Sequence, residues 1–202
     1  MKFLERNFSK SLEKSKGFPK VLVIVAHPDD ETIWMGGMLL KNKWDVTIIS
    51  LCRRDDKDRA PKFRKVCKSY RAKCFMSDLD DEKMNDIDSS EIINRLSKFK
   101  GKYDVIFTHG KNGEYGHKRH VDVHQAIVKM LDEKSLIAKK VFFFNYFKKG
   151  KYAYPSKNSV KFIKLNKVLL KEKKHLIKDV YGFQQGGFEE RCCRSVESFK
   201  QK

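Results

Sequence analysis

Val21-Leu22-Val23-Ile24-Val25-Ala26 runs without a single polar side chain and gives way at once to His27-Pro28-Asp29-Asp30-Glu31. A β-branched apolar run of this length, bounded by polar residues, suits a strand buried on both faces, the mark of a parallel sheet. Residues 31–42 then place Ile33, Trp34, Met38 and Leu39 near helical spacing. The unit reads strand, chemically loaded turn, helix. The alternation continues downstream: a second buried strand over 46–51, a helix over 59–72 and a short strand over 74–76. Ser89 and Ser90 are positioned to cap a helix running to about Phe99. A strand over 103–109 leads into a glycine-containing loop over 110–116, followed by a helix over 118–132 and a strand over 141–147. A shorter strand near 160–165 and a helix carrying Val168, Leu169, Leu176, Ile177 and Val180 complete the pattern.

Strands alternating with helices predict βαβ units with right-handed crossovers, hence an α/β, three-layer Rossmann-like fold with a mostly parallel central sheet. In such sheets ligands bind beyond the carboxyl ends of the strands, where the strand order reverses. Two loops are singled out by that rule, the one after 21–26 and the one after 103–109.

Composition bounds the rest. With 202 residues, 40% hydrophobic and 12% aromatic, the chain has the length of one domain over 1–202 and enough apolar surface for a core, which excludes wholesale disorder. Residues 1–19 read as a basic, mostly polar arm. The absence of any run of about 20 apolar residues excludes a membrane span. The N-terminus lacks an apolar stretch of signal-peptide length, and the five cysteines show no CxxC spacing, so a cytoplasmic location is expected. The net charge of +19 is unevenly placed: residues 139–180 hold 13 Lys against only Glu172 and Asp179. Residues 78–91 reverse this, with seven acids and Lys83 the lone base. Lys outnumbers Arg 35 to 10, whereas planar phosphate recognition favours Arg. The basic excess therefore reads as a solvated surface with room for an anionic conjugate, and no specific nucleic-acid binding is expected.

One histidine and three carboxylates within five residues, at 27–31, are costly to bury unpartnered. A divalent metal resolves that cost, since imidazole and carboxylate both ligate zinc. Pro28 fixes a turn that lets His27 and Asp30 converge while Asp29 points elsewhere. The competing reading is an acidic helix N-cap, which would account for Asp30 or Glu31 but not His27. The second loaded segment is Thr108–His124, in which His117, His120 and His124 have the spacing of one helical face. His124 is in register with apolar Val121, Val128 and Leu131, so it reads as a core or supporting residue. Gly36-Gly37 on the first helix suits close helix–sheet packing rather than phosphate binding, and no GxGxxG follows the first strand, which argues against a dinucleotide cofactor. Cys52 has no paired base and reads as structural.

These two segments, AHPDDE at 26–31 and GEYGHKRH at 113–120, resemble the PIG-L/LmbE family of zinc-dependent N-acetylglucosamine deacetylases. The resemblance covers about 21–131, with weaker echoes in Tyr181-Gly182-Phe183-Gln184 and Glu197-Ser198-Phe199. It implies His27, Asp30 and His120 as ligands of one Zn2+ per chain, in a site whose donors also accept iron or cobalt. It implies Asp29 as general base, His117 acting on the oxyanion or the leaving amine, Tyr115 polarising the carbonyl, and Arg59 contacting the substrate. The implied reaction removes acetyl from an N-acetylated amino sugar or its conjugate.

Two departures stand out. Arg119 sits where many relatives carry an acid beside the second histidine, with Asp122 one turn on as a candidate substitute. Lys62 replaces a glutamate usual on the helix after the second strand. Two alternatives stay open: a deacylase of another amide metabolite, and a nucleic-acid-binding protein with a vestigial metal site.

Overall fold

The computed structural model describes residues 17–202; most of the basic arm expected over 1–19 lies outside the described residues. Five parallel strands build the sheet centre: β1 (Lys20–Val25), β2 (Asp45–Ser50), β3 (Lys73–Met76), β4 (Gly101–Thr108) and β5 (Leu136–Phe144). Two antiparallel strands extend one edge, β9 (Val196–Gln201) against β5 and β8 (Lys161–Lys164) against β9, in the order β3-β2-β1-β4-β5-β9-β8. The order reverses between β1 and β4, so the loops leaving these two strands open into one crevice.

Alternation within the central strands divides the core into two apolar layers. Val21, Val23, Val25, Val105, Phe107, Phe142 and Phe144 face α1 (Asp30–Lys41), α2 (Arg59–Ser69) and the helical segment Lys167–Val180, whose first part is α5 (Lys167–His175). Leu22, Ile24, Ile106, Val141 and Phe143 face α3 (Ser89–Arg95) and α4 (Lys118–Asp132). Strands buried on both sides thus follow from continuous apolar runs, and the expected three-layer α/β arrangement is the one observed.

Several local expectations need correction. The cap of α3 is Asp88, whose carboxylate accepts the Ser90 amide, rather than a serine. The strand expected over 141–147 ends at Phe144. Beyond it the Asn145 amide donates to Ser198 O, and β6 (Tyr146–Lys149) turns off to pair with β7 (Tyr152–Pro155) in a separate ribbon. Tyr146 anchors that departure, burying its ring and donating its hydroxyl to Trp34 O.

Glu197 and Ser198 of β9 are fully buried polar residues, so no apolar period announces that strand. Glu197 accepts from the fully buried Lys173 (2.8 Å) and from the amides of Gly37 and Met38 (2.7 and 2.9 Å). Gly36 and Gly37 do serve close packing, but the close neighbours are Leu165, Tyr70 and Lys173 rather than the strands. No helix among the described residues is long and apolar enough to cross a membrane.

Candidate active site and metal centre

β1 ends at Val25, and the turn that follows brings three donor atoms together. His27 Nδ1 lies 3.2 Å from Asp30 Oδ2 and 3.2 Å from His120 Nε2, and the third edge, His120 Nε2 to Asp30 Oδ2, is 3.3 Å. Ligands held at about 2.0–2.1 Å on a tetrahedral ion sit about 3.3 Å apart, so this triangle has the dimensions of one face of a zinc site. Two N–H protons directed at each other across 3.2 Å would collide. A cation accepting both nitrogen lone pairs and the Asp30 oxygen removes that conflict, and the donor set fits one.

The outer nitrogens agree. His27 Nε2 donates to Asp81 Oδ1 at 2.7 Å, and His120 Nδ1 donates to Glu114 Oε2 at 2.6 Å. Each carboxylate fixes a tautomer whose lone pair points inward, the arrangement found around metal-ligating histidines. Burial works against a charged imidazole at both positions. The Asp30 and Asp81 carboxylates outweigh it at His27 and raise its pKa to about 9, and Asp30 and Glu114 raise that of His120 to about 10. The pocket therefore demands positive charge. Asp30, buried as well, is held below the usual carboxylate range by His120 and His109, and its other oxygen accepts the Trp34 indole N–H at 2.9 Å.

Asp29 points elsewhere, as the turn requires. It occupies the N-cap of α1, a place the sequence offers to Asp30 or Glu31, yet its side chain makes no capping hydrogen bond. Its φ of 132° is strained for a residue with a Cβ, and its amide is held by Glu31 Oε2 at 3.1 Å. Glu31 is fully buried beneath it, accepting also from Thr32 and from the Tyr181 hydroxyl, which accounts for the Tyr181 echo. Burial and the neighbouring Asp30 push the Asp29 carboxyl well up. Arg59 Nη1 lies 3.4 Å from Asp29 Oδ2, with its guanidinium stacked over Phe183.

His117 is the N-cap of α4 with extended backbone, not part of the helical face expected from its spacing. Its ring nevertheless stacks on His120, with centroids 4.6 Å apart, and a donor nitrogen lies within 4.8 Å of those of His27 and His120. Its Nδ1 is buried with no partner among the described residues. Burial, His120 and His27 lower its pKa to about 4. His124 does not reach the centre; its Nδ1 donates to His109 O and its ring packs on Phe143. Tyr115 stands over the centre, packed against His117, His120 and Phe188. A cleft of about 300 Å³ lined by Asp29, Trp34, Arg59, Tyr115, His117 and Phe188 opens from the triangle.

Reasoning from sequence misses three residues. Glu114, fully buried at a φ of 60°, accepts from His109 and His120 on one oxygen and from the Gly110 amide (2.7 Å) on the other. His109 cannot ligate through Nε2, because that lone pair takes the Ala26 amide at 2.9 Å. Asp81 lies within a stretch that announces only its charge. The signal for Glu114 is in the motif: a carboxylate between His109 and His120 in one turn. Asp122 does not stand in for the family acid, since its carboxylate faces Arg119 at 2.8 Å. Lys62 pairs with Asp58. Cys52 neighbours His27 and Asp81, but burial and the nearby acids push its thiol up, which keeps it protonated and a poor ligand.

The backbone leaves no slack here. A Cβ on Gly110 would sit 2.3 Å from the Phe144 carbonyl oxygen. Gly110→Ala is expected to lower stability by about 1–3 kcal/mol, read by chemical denaturation, because the obstacle is backbone and cannot rotate away.

The sequence model of the PIG-L family, described as GlcNAc-PI de-N-acetylase, matches residues 22–131, more than half of the chain. No curated protein matches the chain significantly. Among solved structures, GalB, the 4-carboxy-2-hydroxymuconate hydratase from Pseudomonas putida KT2440, is similar over 90% of this chain and 95% of its own, at 14% identity and a TM-score of 0.55, a likeness of fold. The matched span contains most of β1, all of β4 and the loops that follow them, with the whole donor triangle and the residues that orient it: the chain belongs to the PIG-L family.

Proposed function

We propose that the chain is a zinc-dependent amidohydrolase that removes the acetyl group from an N-acetylated amino sugar of the N-acetylglucosamine type, free or as a conjugate. The observation that carries this reading is the His27–Asp30–His120 triangle beside a buried carboxyl, Asp29, that lies outside it. A metal-dependent hydrolase or deacetylase activity accords with family membership. When bound, the ion supplies Lewis-acid activation of water and of the amide carbonyl. The same donors accept iron or cobalt.

Asp29 takes the proton of the attacking water, a role suited to a carboxyl that burial and the neighbouring Asp30 make more basic than an ordinary carboxylate. Neutral His117 donates an N–H to the oxygen that gains charge, assisted by Tyr115, whose ring packs edge-on against it. Protonated Asp29 returns its proton to the departing amine, without which the C–N bond does not break. Arg59 binds substrate hydroxyls or an anionic group from the rim while limiting how far the Asp29 pKa rises. Phe188 and the Tyr115 ring, both part-exposed in the cleft, supply an apolar wall for a sugar ring.

The test is acetate release from a panel of N-acetyl sugars, their phosphorylated and nucleotide-linked conjugates and unrelated N-acyl amides, with the zinc-loaded protein. Stoichiometric acetate and free amine from an amino sugar are expected. Cleavage confined to the other amides would favour the second deacylase reading, and no cleavage of any amide would overturn both.

A further inference from the structure

We propose that Arg119 is a positioning residue for the metal centre: it holds the segment between β3 and α3 in the arrangement that carries the Asp81 carboxylate to the outer nitrogen of His27. The proposal rests on the reading of His27 as a ligand.

Residues 77–88 form neither helix nor strand, and they are crowded with acids that repel one another. Such a segment needs outside partners to keep one conformation. Leu79 supplies one anchor, its side chain buried and its amide donating to Leu51 O at 2.9 Å. Arg54 and Arg95 hold Asp78 at its start and Lys118 pairs with Asp86 towards its end, while Arg119 holds the middle. Its side chain is fully buried, and its guanidinium donates to two backbone carbonyls of the segment, Asp80 O at 2.5 Å and Asn85 O at 2.8 Å. It also reaches Asp80 Oδ2 at 3.3 Å and Asp122 Oδ2 at 2.8 Å. A buried guanidinium is tolerable only when its donors are used in this way, and the planar fork spans two carbonyls that a single ammonium cannot reach together.

With Asp80 pinned, the next residue faces the opposite way. Asp81 Oδ1 accepts from His27 Nε2 at 2.7 Å, while Asp81 Oδ2 is held by Arg53 Nε and Nη2 at 3.1 and 2.8 Å. Arg119 and His120 are consecutive on α4. One turn of helix therefore supplies a donor to the centre and, on its other side, the clamp that orients the His27 donor. The arginine at the departure from the family motif thus has a definite purpose, and the acid that matters is delivered by the 77–88 segment.

The test is zinc affinity of the metal-stripped full chain, measured by competition with a chromophoric chelator, with thermal stability recorded in parallel. Arg119→Met and Asp81→Asn should each weaken zinc binding about 10–100-fold, the usual effect of removing a group that orients a ligand. The double variant should bind no more than about twofold more weakly than Asp81→Asn, because the clamp acts through that carboxylate alone. Arg119→Met that melts earlier yet binds zinc unchanged overturns the proposal, and so do losses that multiply in the double variant. Should Arg119→Met not fold, Arg119→Lys carries the same test: weaker binding supports the clamp and unchanged binding overturns it. His27→Ala separates this proposal from the reading beneath it. If His27→Ala loses zinc while Arg119→Met does not, only the clamp falls. If His27→Ala binds zinc like the parent, the ligand assignment fails and the clamp with it.

Discussion

Asp29→Asn is expected to keep its metal and lose turnover by about 10²–10⁴-fold, the contribution of a general base. The substitution preserves size, the N-cap backbone and the amide hydrogen bond to Glu31 Oε2, and removes only basicity. Its neighbour is expected to behave in the opposite way. Asp30 Oδ2 stands within 3.3 Å of both inner nitrogens, and Asp30→Asn places a neutral amide there. Zinc binding itself should weaken, and added zinc should restore part of the activity. Metal content and turnover, measured for both variants with and without added zinc, separate the two roles. Loss of metal in Asp29→Asn with retention in Asp30→Asn would reverse the assignment. The division has a visible structural cause: the φ of 132° at Asp29 turns consecutive carboxylates away from each other.

The second large effect is expected at Glu114. One of its oxygens accepts from two imidazoles, at 2.6 and 2.8 Å, and the other accepts the Gly110 amide at 2.7 Å. An ionised carboxylate has the lone pairs for all three, and a glutamine does not. With its oxygen toward the histidines, the substituted side chain would turn its amide nitrogen on the Gly110 N–H; reversed, that nitrogen would face both imidazole N–H groups. Either way a buried donor is left without an acceptor, which costs about 1–3 kcal/mol. Glu114→Gln should therefore lower stability by that amount and weaken zinc binding about 10–100-fold, since His120 exchanges a charged acceptor that fixes its tautomer for a neutral amide or for none. Denaturation and zinc titration check the two parts independently. Unchanged zinc affinity in a folded Glu114→Gln protein would remove Glu114 from the support of the centre.

The legible parts of this protein are those governed by one local rule. β1, β2 and β4 are apolar runs buried on both faces, and α4 has the bounds 118–132 that its sequence pattern predicts. The crevice follows from topology alone, because the strand order reverses between β1 and β4. His27, Asp30 and His120 converge because a strand end and a helix start must meet there.

What stays hidden depends on long-range partners. β9 is masked by Glu197 and Ser198, polar residues whose burial is stabilised by Lys173 and by α1 amides distant in sequence. Asp81 reaches His27 across 54 positions, and no spacing rule connects them. His117 shows the limit of periodicity: its i, i+3 relation to His120 suggests one helical face, yet it caps the helix with extended backbone and still stacks on the same ring.

Zinc-edge X-ray absorption of the zinc-loaded chain tests the central claim most directly, because the two other donor groups that include His27 among the described residues, one with His117 and His120 and one with Cys52 and Asp81, offer different atoms. His27, Asp30 and His120 predict a first shell of nitrogen and oxygen alone at about 2.0–2.1 Å, with outer-shell scattering from two imidazoles and one ion per chain. A sulfur shell near about 2.3 Å would place Cys52 in the site, and scattering from three imidazoles would place His117 there, and either result would contradict the His27–Asp30–His120 ligand set.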